Sequence, residues 1–178
     1  ANPLSEGIAI QSARMFFKYL PKVVENKDDE ESLNYLHLAA TLSGIAFSNS
    51  GVGLVHAIAH PLGSLFNIPH GMAVAIVMPY VINFNYKDKN AGKMYDEIKI
   101  ALEQLDGFEI KKNLTEHLID LYNKIGQPKK LSEIAIDEKT YKSSIDKIAD
   151  LALRDPDLAF NPISPTIDEI KDILNKIY

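Results

Sequence analysis

From Gly51 to Asn85 the chain contains no Asp, Glu, Lys or Arg: GVGLVHAIAHPLGSLFNIPHGMAVAIVMPYVINFN. Such a stretch, in a protein that is 24% charged overall, belongs in an interior. Its most apolar run, Met72 to Ile82, is about half the roughly 20 residues that cross a bilayer, and Pro79 interrupts it. A buried core helix is the better reading, with no membrane partner. The same stretch holds three of the five histidines, His56, His60 and His70.

Around this segment the pattern is helical. Asn2 before Pro3 is an N-cap and first-turn pair. Leu4, Ile8, Met15, Phe16 and Leu20 follow near a 3.6-residue period, and Pro21 is expected to end the run. An acidic start at Asp28 to Glu31 opens a second helix that closes in the Ser48-Asn49-Ser50-Gly51 cluster. The histidine segment is expected to be helical from about Val52 to Phe66, kinked or divided by Pro61. A buried helix from Pro69 to Phe84 follows, with its own Pro79 kink. Amphipathic patterns cover Ala91 to Leu105, Ile110 to Ile125 and Glu138 to Leu153, and Thr166 to Glu169 is a capping box for the last helix. Gly126 to Lys130 and Asp155 to Ser164 read as loops. No β-branched run alternates cleanly with polar residues, so the expected fold is all-α and bundle-like.

The 178 residues suffice for one domain with a real core. A net charge of −5, with lysines scattered among acids, argues against a nucleic-acid partner. The absence of cysteine excludes disulfides and thiolate ligands, and fits a cytoplasmic setting. The chain opens on Ala1 rather than Met, which points to a longer protein cut or processed here, or to a removed tag.

His56 and His60 are four apart and share a helix face, a spacing that can chelate a zinc- or iron-like ion. His70 follows after a turn and could fold back as a third ligand. The alternative is that all three are core or capping residues bonded to backbone. On spacing alone a metal site is incomplete, because the nearest acids in sequence, Glu31 and Asp88, lie in charged, surface-like segments. His37 and His117 read as surface or half-buried structural residues. Phe47, Phe66, Tyr80 and Phe84 read as core. The glycines at 51, 53, 63 and 71 do not make a dinucleotide fingerprint, since no strand precedes them.

Phe47-Ser48-Asn49, then Gly51 to Gly63 with His56-Ala57-Ile58-Ala59-His60-Pro61-Leu62-Gly63, then Ile68-Pro69-His70-Gly71, resembles the signature of the iron-dependent (group III) alcohol dehydrogenases. The flanks resemble that family too: Ala1 to Pro21, Ile125 to Pro128 with Leu131-Ser132-Glu133, and Asn161-Pro162. The resemblance covers nearly the whole chain. It implies that residues 1–178 form the C-terminal helical, metal-binding domain of the dehydroquinate synthase-like fold. The N-terminal nicotinamide-binding α/β domain would be missing from this chain.

The resemblance further implies Fe2+ (or Zn2+) held by His56 and His70, with His60 beside the substrate as a catalytic residue. It places Phe47 on the wall of the nicotinamide pocket. The family's other two ligands come from a D-x-x-x-H motif that occurs nowhere in this sequence. The parent protein would then interconvert a small alcohol and an aldehyde or ketone with NAD(P). This chain alone would be inactive and would expose an apolar patch that favours a homo-oligomer or a partner chain. A polyol dehydrogenase-like or maleylacetate reductase-like activity, and a helical interaction module with structural histidines, are the competing readings.

Overall fold

A computed structural model describes residues 2–178, leaving Ala1 outside the described residues. Its eight α-helices are α1 (Pro3–Glu25), α2 (Glu30–Ser50), α3 (Leu54–Phe66), α4 (His70–Asn85), α5 (Lys89–Glu103), α6 (Leu114–Ile125), α7 (Glu138–Arg154) and α8 (Ile167–Lys176). Short 3-10 helices occupy Leu131–Ile134 and Pro156–Phe160, and there is no strand among the described residues. The all-α reading holds.

Local capping sets many of the helix starts. Asn2 accepts from the backbone N–H groups of Leu4 and Ser5, and the Ser5 hydroxyl accepts from the Asn2 N–H in return. Asp29, Asn113 and Asp137 cap α2, α6 and α7 in the same way, and Thr166 with Glu169 forms the expected box on α8. Each such cap contributes about 1 kcal/mol.

Pro21 and Pro61 both lie inside helices that run on past them. Pro21 does not end α1, which runs on to Glu25 and closes with the Asn26 N–H on the Lys22 carbonyl at 2.8 Å. Pro61 does not divide α3 either. An interior proline costs about 3 kcal/mol. Leu54, Ile58 and Leu62 on the same helix are fully buried, at about 1.5–3 kcal/mol apiece, and outweigh it.

The chain packs as two compact units. In the first (residues 1–51 and 92–126), α1 lies against α2 and α6. Its interior is thin and partly polar: Met15, Ala39, Leu102, Leu118 and Leu121 are buried, and the buried Ser12 hydroxyl donates to the Ala39 carbonyl at 2.8 Å.

In the second unit (residues 52–91 and 127–178), α3 packs on α4 and α7, and α8 closes on α4 and α7. Here the interior is apolar throughout, built from Leu54, Ile58, Leu62, Ile76, Val77, Ile148, Ile170 and Leu174. Tyr141 is fully buried, and its hydroxyl donates to the Leu174 carbonyl at 2.7 Å. No single described helix is long and apolar enough to cross a membrane.

Candidate metal centre

The three histidines of the uncharged stretch meet in the second unit. His56 is in the first turn of α3, and His60 is one turn further along the same face. Phe66 ends the helix at Asn67, which takes a left-handed conformation (φ 53°). Three residues later α4 begins at His70 and returns the chain to the first two histidines. The ring centroids lie 5.2 Å (His56–His70), 5.6 Å (His60–His70) and 5.9 Å (His56–His60) apart. The i, i+4 spacing explains the last distance; the helix–turn–helix explains the other two.

His56 is half-buried, and its Nδ1 is buried with no hydrogen-bond partner. Burial above all, and then the neighbouring His70 and His60 rings, holds its pKa below the ordinary histidine value; Asp157 and Asp155 pull weakly the other way. A neutral imidazole with a bare, buried nitrogen is the form that ligates a metal. Leaving such an atom unpaired costs free energy that an ion would recover. The residues present therefore fit a divalent ion, with His56 and His70 as imidazole donors.

Two acids that looked remote in sequence complete the surroundings. His60 Nδ1 lies 2.7 Å from Asp155 Oδ2. His60, Asp155 and Asp157 each place one potential ligand atom within 4.8 Å of the others. Asp155 is the N-cap of the 3-10 helix Pro156–Phe160, and its Oδ1 accepts from the Asp157 N–H at 2.9 Å. The stretch read as a loop thus carries the carboxylates of the site. That it is rich in Asp was the signal in the sequence, but nothing in the spacing tied it to α3.

The far end of the same segment anchors α3 as well. Gly53, the N-cap of α3, has no side chain to accept from the first helical N–H groups. Asn161 Oδ1 does so instead, taking the Leu54 N–H at 3.2 Å. It also receives Asn85 Nδ2 at 3.1 Å, while Asn161 Nδ2 donates to Asn85 Oδ1 and to the Ile163 carbonyl. Gly53 has φ +75°, and a Cβ there would sit 3.0 Å from Asn161 Oδ1. Only glycine suits both demands.

The remaining candidates fall elsewhere. Phe47 belongs to the first unit, near the end of α2, and is 50% exposed rather than a core residue. His37 is exposed, as expected. His117 is not a surface residue: it is 3% exposed, with Nε2 3.3 Å from Glu103 Oε1.

The fold and site together define an all-helical protein that gathers three imidazoles on a helix–turn–helix, backed by carboxylates from a C-terminal segment. Residues 1–178 match the family model for the C-terminal part of the Fe-containing alcohol dehydrogenases. The chain belongs to that family. It is 36% identical over 178 residues to an alcohol dehydrogenase of Thermococcus barophilus, covering 100% of this chain and 44% of that protein. It is 35% identical to an NADPH-dependent butanol dehydrogenase of Clostridium saccharobutylicum, covering 99% of this chain and 45% of that one. The solved iron-containing alcohol dehydrogenase of Thermococcus thioreducens superposes with a TM-score of 0.88 at 36% identity, over 100% of this chain and 45% of that structure. The chain thus spans about half the length of the relatives it matches.

Proposed function

We propose that residues 1–178 are the helical metal-binding domain of a longer NAD(P)-dependent alcohol dehydrogenase, which interconverts a small alcohol and its aldehyde or ketone. The observation that carries this reading is the triangle of imidazoles with the unpartnered, buried His56 Nδ1. His56 and His70 hold the ion, iron(II) or zinc, and the rest of its ligands and the nicotinamide site come from the remainder of the longer protein. When bound, such an ion would supply Lewis-acid chemistry toward the oxygen of an alcohol substrate.

The chain's own residues supply the rest. His60, 42% exposed and bonded to Asp155, is placed to pass a proton between substrate and solvent. Phe47 supplies an aromatic wall for the nicotinamide. A butanol dehydrogenase among the relatives supports a short alcohol as substrate. The full-length protein works in the cytoplasm.

Elemental analysis of the full-length protein tests the assignment. Wild type should carry close to one divalent ion per chain, and His56→Ala and His70→Ala should each lose it together with NAD(P)-linked alcohol oxidation. Unchanged metal content in both variants would reject the site. Residues 1–178 expressed alone should show no alcohol oxidation with NAD(P), and full activity there would reject the division of labour.

A further inference from the structure

We propose that Asp155 is a positioning residue that dictates which nitrogen of His60 carries the proton. The two oxygens of this carboxylate have separate tasks. Oδ1 accepts the Asp157 N–H at 2.9 Å and so caps the 3-10 helix; Oδ2 faces His60 Nδ1 at 2.7 Å. A carboxylate only accepts, so the proton of a neutral His60 sits on Nδ1. Nε2 is thereby left as a bare acceptor, in a ring whose centroid is 5.6 Å from that of His70 and 5.9 Å from that of His56.

The burial pattern suits this role. The Asp155 side chain is 13% exposed and held by its cap, whereas His60 is 42% exposed. The acid is the fixed partner and the imidazole the one being aimed. The segment that carries Asp155 is itself fastened to the start of α3 by Asn161, so the helix bearing His60 and the acid that orients it are tied together at both ends. A histidine that must take a proton at one nitrogen needs the other nitrogen's partner to fix its tautomer.

The kinetic arm of the test rests on the dehydrogenase reading; the tautomer arm does not. Two-bond 1H–15N spectra of the metal-free, histidine-labelled, full-length protein at alkaline pH report which nitrogen is protonated. The His60 signals are identified by their loss in His60→Gln. Wild type should show the proton on Nδ1. In Asp155→Asn the cap still requires the amide oxygen at the Asp157 N–H, which turns the amide NH2 toward His60 and forces Nδ1 to accept. The His60 proton should therefore move to Nε2, while helix content stays as in wild type.

In the metal-loaded enzyme the same variant should lose about tenfold to a hundredfold in kcat with little change in KM. A wild-type proton on Nε2, or an Asp155→Asn protein that keeps it on Nδ1, overturns the proposal. A wild-type protein that shows the Nδ1 proton but oxidises no alcohol would sink the dehydrogenase reading and leave the role of Asp155 standing.

Discussion

Among the described residues each of the two units contains a histidine–carboxylate pair, and the two pairs differ in setting. In the first unit Glu103 has three donors: it accepts from the Lys111 backbone N–H at 2.8 Å, from Lys99 Nζ at 3.0 Å and from His117 Nε2 at 3.3 Å. His117 is 3% exposed and Glu103 12%, so both partners of this pair are held within the fold. In the second unit Asp155 serves one backbone N–H and one imidazole, and that imidazole is open to solvent and flanked by two more. The same two functional groups are enclosed in one place and leave a solvent-accessible imidazole in the other. What separates them is how many partners the carboxylate has and whether the histidine can be reached.

Removing each acid should therefore have opposite consequences. Glu103→Ala leaves a buried imidazole, a backbone N–H and a lysine without their acceptor, and should cost about 3 kcal/mol in urea unfolding. Asp155→Ala removes a cap and should cost only about 1 kcal/mol. Alcohol oxidation, assayed in the full-length protein, should be little changed by the first substitution and strongly reduced by the second. Equal stability losses would break the comparison.

Acid unfolding sharpens it. The Lys111 backbone N–H first, then Lys99 and His117, lower the Glu103 carboxyl from the ordinary 4.5 to about 2 against the opposing effect of its burial. A group lowered on folding stabilises the native state fully above its unfolded pKa, and that contribution fades as pH falls through the folded value. The melting temperature should drop between about pH 4.5 and pH 2, and Glu103→Gln should be destabilised at neutral pH with a flatter profile over that window. An unchanged slope would mean that Glu103 is not the group responsible.

Helix starts were legible where local chemistry marks them, as at Asn2 and at Thr166 with Glu169, whose side chains act on N–H groups two or three residues away; the amphipathic pattern from Ile110 overran the true start, which Asn113 caps at Leu114. Pro21 misled because helix continuation there depends on tertiary packing, which no local pattern reports. His117 read as surface or half-buried, yet it is 3% exposed. Its spacing from Leu114, Leu118 and Leu121 put it on the buried face, and that was the better guide. The histidine triangle was half legible. His56 and His60 share a face by simple periodicity, whereas Asp155 and Asn161 come from 95 and 107 residues away. The two aspartates at 155 and 157 and the resemblance at Asn161-Pro162 were the hints in the sequence, and neither carried geometry.

Smaller effects test how firmly the second unit holds its histidine helix. Asn161→Ala removes the acceptor for the Leu54 N–H and the reciprocal pair with Asn85, and should cost about 1–2 kcal/mol. It should also weaken metal retention, since His56 lies two residues beyond Leu54; dialysis against a chelator would measure this as faster loss of the ion. The least effect belongs to Glu169. Lys87 approaches it to 2.9 Å, but their side chains are 58% and 37% exposed, and such pairs are screened by salt. Its carboxyl is lowered to about 2, chiefly by the Thr166 backbone N–H of the capping box and then by Lys87. Glu169→Gln keeps an oxygen for that N–H and loses the charge and the exposed acceptor for Lys87. Its melting temperature should differ slightly from wild type at low salt and converge with it at high salt. The Glu103→Gln difference should persist in high salt, because its acceptor bonds are enclosed. A Glu103 effect that vanished with salt would make the two carboxylates alike and remove the ground for treating the first unit's pair as a buried lock.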